Sequence, residues 1–149
     1  MIEIKLQGFK ELDKLLMELP EKLQRKAVRQ ATLAGANIIK EDAKRRAPRS
    51  VAGHEGGKYP HKPGNLRKSM RTYKKRDKGG MITYQVGPSK KGFYGKFVEF
   101  GHLLKRNKKT IGNVPAYPFL RPAFDTNTDK VIETIKERLG TAINEIRAK

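Results

Sequence analysis

Phe93-Tyr94-Gly95-Lys96-Phe97-Val98-Glu99-Phe100-Gly101 and, after a basic interval, Val114-Pro115-Ala116-Tyr117-Pro118-Phe119-Leu120-Arg121-Pro122-Ala123-Phe124 are the stretches on which the fold turns. Together they hold seven of the eleven aromatic residues and three of the eight prolines. Aromatic side chains at this density, beside prolines that fix the backbone, specify a shape. Glu99 is the sole acidic residue between Asp77 and Asp125. Between Val98 and Phe100 its carboxylate is costly to bury unless a cation or a backbone N–H meets it. Arg121, near Phe119, is the expected mate, which would make a clamp between the two segments; the plainer alternative is a surface carboxylate. Phe93, Phe97 and Phe100 follow i, i+4, i+7 spacing, so residues 92–100 read as a short helix with one aromatic face. Pro118 to Phe124 reads as extended chain or a single turn. Phe93, Tyr94, Phe97, Glu99, Phe100, Pro118, Phe119, Arg121 and Pro122 are therefore the candidate structural and subunit-contact residues.

Outward from these segments the pattern is helical at both ends. Ile2, Ile4 and Leu6 alternate with charged residues as in a short strand, which Gly8 ends. Leu12, Leu15, Leu16 and Leu19 follow helical spacing as far as Pro20. A long helix is expected from Pro20, a favoured first-turn residue, to the residues before Pro48. Its stripe is Leu23, Ala27, Ala31, Ala34 and Ile38, with Val28 and Ile39 beside it; the alanines allow a close neighbour. Residues 65–70 read as one helical turn. Strands near 70–75 and 81–86 form a hairpin around Asp77-Lys78-Gly79-Gly80, the second ended by Gly87-Pro88. A last helix is expected from about Asn127 to Ala148, with Asn127 or Thr128 as its N-cap. Ile132, Ile135, Leu139, Ala142 and Ile146 repeat at heptad spacing over only about two heptads, which suits a helix laid on a sheet or on the alanine-rich helix better than a free coiled coil. The fold class is α+β: a small, mostly antiparallel sheet packed against a long helix of the N-terminal half and a C-terminal helix. The 149 residues read as one domain, with mobile basic loops at about 47–64 and 101–114.

Charge is concentrated. Of the net +19, residues 40–110 carry +16, from 21 basic and 5 acidic residues, while both ends are nearly balanced. A polyanion is the natural partner of such a middle; solvated, lysine-rich loops are the bland reading. Arg45, Arg46, Arg49, Lys58, Lys62, Arg67, Lys105, Arg106, Lys108 and Lys109 are the candidates for contact with DNA or an acidic partner. Cysteine is absent, which excludes disulfides, thiolate nucleophiles and cysteine metal sites. No stretch reaches the ~20 apolar residues of a membrane span, and the N-terminus lacks the pattern of a signal peptide, so no membrane partner is expected.

Catalytic patterns fail one after another. His54-Glu55 lacks the second histidine of a helical zinc motif, so a surface histidine is the better reading. Asp125, Asn127 and Asp129 begin like a calcium loop, but its glycine and terminal glutamate do not follow. Gly53, Gly56, Gly57 and Lys58 match neither phosphate-loop spacing, and Ser50, Ser69 and Ser89 sit in no nucleophile elbow. His102 with Glu99 is the one acid–base pair a small basic ribonuclease could use. No enzyme, metal or cofactor is expected.

Three blocks carry a resemblance: Pro63-Gly64-Asn65-Leu66-Arg67-Lys68-Ser69, then Tyr94 to Gly101, then Pro115 to Ala123. In their order and spacing, with the opening strand and closing helix, the chain resembles the small head–tail joining and tail-completion proteins of long-tailed, lambdoid-type bacteriophages. It departs from their pattern at His102, where a small residue is usual, and in the basic insertion Leu103 to Asn113. The resemblance implies a non-enzymatic virion protein of the neck or tail, assembled in the bacterial host cytoplasm. It implies a ring of copies, commonly six, that is monomeric before assembly, with head-connector and tail-tube or tail-terminator proteins as neighbours. Such a ring closes by rotation through heterologous contacts. Its basic residues would contact DNA non-specifically. The competing readings are a non-specific nucleic-acid-binding protein of ribosomal or nucleoid type and, behind it, a small basic nuclease or toxin.

Overall fold

The computed structural model describes residues 9–49, 62–75 and 81–148. The expected strand at 2–6, the hairpin turn at 77–80 and most of the 47–64 loop, with His54, Lys58 and His61, lie outside the described residues.

The frame is a pair of long antiparallel helices, α2 (Glu21–Arg46) and α5 (Leu120–Arg147). Ala27, Ala31 and Gly35 succeed one another every four residues on the buried face of α2. A Cβ on Gly35 would lie 2.9 Å from Val131 Cγ1, so the two backbones approach as closely as glycine allows. One small core lies at this end: Ala27, Ala31, Leu139 and Ala142, flanked by Leu16, Val28 and Ile135. Leu16 comes from the short helix α1 (Phe9–Met17), which packs on α5, and an Arg147–Glu18 ion pair ties the same end.

The other end of the seam is polar and then apolar again. Asp42 of α2 is buried and accepts hydrogen bonds from Arg46 Nε (2.8 Å), Arg45 Nη2 (3.0 Å) and Asn127 Nδ2 (2.7 Å) of α5. The Arg46 bond leads, with Asn127 and the arginine charges behind it, in holding Asp42 below the usual carboxylate range against the opposing effect of burial. Beyond it lies the second core: Ala43, Ala47, Leu66, Met70, Phe119 and Ala123. Leu66 arrives on the turn of helix α3 (Asn65–Ser69), and Met70 opens β1 (Met70–Lys74).

β1 pairs antiparallel with β2 (Tyr84–Pro88), Met70 opposite Pro88 and Lys74 opposite Tyr84, and the pair packs on α2. The second strand therefore runs through Gly87-Pro88 instead of ending before them. Proline is tolerated there because it stands at the strand's end, where its missing N–H costs no ladder bond.

Two expectations about the second half change. Residues 102–114 are a second antiparallel hairpin and no irregular loop: β3 (His102–Arg106) against β4 (Lys109–Val114), with a bulge after Leu104. Asn107 and Lys108 both have positive φ (47° and 65°), the conformation of the tight turn whose twist matches its strands. The C-terminal helix also begins at Leu120, seven residues before the expected Asn127. Asn127 and Thr128 are interior residues whose side chains bond the carbonyls of Ala123 and Phe124 one turn back, and neither is the cap.

Candidate assembly surface

The early start of α5 is explained by Glu99. It lies on helix α4 (Gly95–Phe100), which a 3-10 turn at Lys90–Gly92 leads into. The carboxylate accepts the backbone N–H groups of Phe119 (2.8 Å), Leu120 (2.9 Å) and Arg121 (3.0 Å). A helix leaves about four N–H groups without partners at its start, and these carry a partial positive charge. Glu99 takes three, and the next residue is Pro122, which has no N–H to satisfy. A cap borrowed from 20 residues upstream thus replaces the local one.

The clamp foreseen between Glu99 and Arg121 is therefore made through the backbone of Arg121. Its guanidinium is exposed and stands 4.0 Å from Asp125. Glu99 is buried, and Phe119, at 0% exposure, sits beneath the joint. Tyr94 and Val98 pack on the same core, and Tyr117 N–H donates to Val98 O at 2.7 Å. With its oxygens engaged by amides, Glu99 makes no hydrogen bond to His102, whose Nδ1 is buried without a partner among the described residues. The acid–base pair considered for a ribonuclease is not formed. Among the described residues no group of histidines and carboxylates could hold a metal.

The aromatic face expected on residues 92–100 points outward, and α4 buries Gly95 and Glu99 instead. Phe93, Phe97 and Phe100 are all exposed, Phe100 at 81%. Phe97 turns toward His102, ring centroids 5.4 Å apart, with Lys96 Nζ 5.0 Å from the Phe97 centroid. Phe93 and Phe100 line an open groove of about 660 Å³ between α2, β2, α4 and the start of α5. Ile39, Val86, Leu120 and Phe124 supply most of the rest of its apolar wall; Lys96, Arg121 and Asp125 stand among its lining. In the sequence Phe124 belongs to the proline-rich segment, Ile39 lies beside the apolar stripe of α2, and Val86 falls in the second strand of the first hairpin. Their joint role depends on three elements meeting, which no local pattern records. Pro118 is exposed beside the groove's helix, and Pro122 is half-buried in the first turn of α5.

The basic candidates divide into two groups. Arg45 and Arg46 are ion-paired to Asp42, and Arg67 Nε donates to Ala47 O at 2.7 Å, so these three have structural work. Arg49 and Lys62 are exposed. Lys105, Arg106, Lys108 and Lys109 crowd the tip of the β3–β4 hairpin, where every residue from 103 to 113 is exposed. The hairpin is anchored at its root by Gly101, with φ of 70°. A Cβ there would lie 2.6 Å from Val114 O, so only glycine fits.

The described residues thus present two exposed features, an aromatic groove lined in part by α4 and the start of α5, and a basic arm that follows α4 in the chain. No helix among the described residues is long and apolar enough to cross a membrane. A family model described as "Bacteriophage HK97-gp10, putative tail-component" matches residues 10–101. That span takes in the first two sequence blocks and stops before the arm. No curated protein and no solved structure matches the chain.

Proposed function

The chain belongs to the bacteriophage HK97-gp10-like family of tail components, and from that premise we propose that it is a subunit of a ring at the head–tail junction. There it completes the tail or joins it to the head around the DNA channel. A structural component of the phage tail is a virion protein. Its expected neighbours are copies of itself, head-connector protein, and tail-tube or tail-terminator protein, met in the host cytoplasm during assembly.

The observation that carries this reading is the uncovered apolar surface. The described residues form two small cores and leave Phe93, Phe100, Phe124, Leu103 and Ile111 exposed. Contiguous aromatic surface of this kind marks a contact with another protein. The basic tip supports the second half of the reading, since four exposed cations can follow a phosphate backbone without reading bases. The same tip is what favours the alternative, a free-standing nucleic-acid-binding protein.

Mass measurement and electron microscopy, with and without the tail-tube protein, separate the two. Rings, or assembly on the tube end, are expected. A strict monomer that binds duplex DNA tightly and never joins a tail sinks the proposal. Replacing Lys105, Arg106, Lys108 and Lys109 by serine together is expected to leave the unfolding midpoint unchanged while weakening any DNA binding and flattening its salt dependence.

A further inference from the structure

We propose that the groove receives the β3–β4 arm of a second copy of this chain. The inference rests on reading the protein as a ring subunit, and it adds the contact by which one subunit holds the next.

The arm needs cover that the described residues of its own chain do not supply. A two-stranded hairpin alone is marginal in water, and both its outer edges offer unpaired backbone groups. Leu103 and Ile111 are 57% and 63% exposed on it, and Leu104 is exposed beside them. None of the arm's residues lines the groove of its own chain. Its root is held instead by Gly101 and by the His102–Phe97 contact, and Phe97 is not a groove residue.

The groove suits an apolar occupant, and the arm is an exposed projection among the described residues that carries such side chains, Leu103, Leu104 and Ile111. Two different patches on one chain that fit each other make a heterologous contact, the kind from which a ring is built where the rotation closes. A self-complementary patch would instead stop at a two-fold dimer.

Charge sets the direction in which the arm lies. The groove ends at Asp125, and exposed carboxylates continue along α5 at Asp129 and Glu133, one turn apart. The arm's apolar residues precede and follow a tip of four cations. Leu103 and Ile111 in the groove would lay Lys105 and Lys108 along that acidic row. Of the cations in the groove lining, Lys96 is occupied over the Phe97 ring and Arg121 faces Asp125. Opposite charges arranged this way mainly fix register and orientation.

The chain has no cysteine, which makes the test clean. Leu103→Cys and Phe124→Cys are made as separate single variants at exposed sites, mixed in equal amounts and mildly oxidised. The arm-to-groove dimer is expected well above its statistical half-share of all dimers. Adding Phe100→Asp to the Phe124→Cys copy is expected to return the distribution to chance. A statistical mixture from the outset, or no dimer, overturns the proposal and leaves the groove to another occupant. The same proteins are assayed for incorporation into tails. A chain that enters tails without the cross-link keeps the ring reading and loses the arm; a chain that cross-links but never enters tails keeps the contact and loses the junction.

Discussion

Phe119 and Phe100 belong to the same local structure and have opposite fates. Phe119 is fully buried under the joint of α4 and α5, while Phe100, one residue past the carboxylate that caps that joint, is the most exposed aromatic among the described residues. Aromatic density in a sequence therefore says that a region is shaped without saying on which side. The inner side, built from Glu99, Phe119 and the backbone of α5, holds the fold. The outer side, with Phe93, Phe100 and Phe124, is exposed and borders the groove. Of the two neighbours of Glu99 on α4, Val98 packs on the core and Phe100 lines the open groove.

This contrast can be broken most directly by truncation. Phe119→Ala is expected to cost about 3–5 kcal/mol, because the cavity cannot collapse against the rigid α2–α5 seam. Phe100→Ala should stay within about 0.5 kcal/mol of the parent in denaturant unfolding while impairing assembly. Equal losses of stability in the two variants would erase the inner–outer distinction.

The joint itself is sharpened by changing its carboxylate. Glu99→Ala is expected to cost about 2–4 kcal/mol, since three helix-terminal donors lose a charged acceptor, and Glu99→Gln somewhat less. Arg121→Ala should be near neutral. Thermal unfolding of the three decides between a backbone cap and a guanidinium clamp; a large loss in Arg121→Ala would restore the clamp.

The smallest effect expected is the acid limb of stability, which belongs to the seam rather than the joint. Asp42 has a folded pKa below its unfolded one, so the unfolded chain takes up the proton first. Its contribution is complete above the unfolded value, near the ordinary carboxylate pKa of about 3.9, and is lost as pH falls toward the folded value. Asp42→Asn should lower stability at neutral pH and flatten this acid dependence. An unchanged acid limb would show that other carboxylates govern it.

Much of the fold was legible in the residues. The Ala27-Ala31 stripe and the proline at each end predict α2 almost to the residue, and the β1–β2 hairpin follows from alternation around a glycine turn. The Glu99–Arg121 link was legible as a meeting of segments, though not as a helix cap. Two readings differ from the structure, each for its own reason. The start of α5 was placed at Asn127 because capping was sought locally, whereas its cap comes from Glu99, distant in sequence. The arm was read as a loop because Asn107-Lys108 lacks the usual glycine, although its backbone takes the same positive φ.

Periodicity, proline placement and charge in the chain alone were enough for the α+β class, the two long helices and the basic middle. These depend on residues within a turn or two of one another, or on totals. The tertiary structure alone decided which aromatics are core and which are surface, where α5 starts, and that the basic interval stands clear as an arm beside a groove. Each of those depends on which distant group reaches an unsatisfied backbone donor or apolar face first, and neither spacing nor composition encodes that contact.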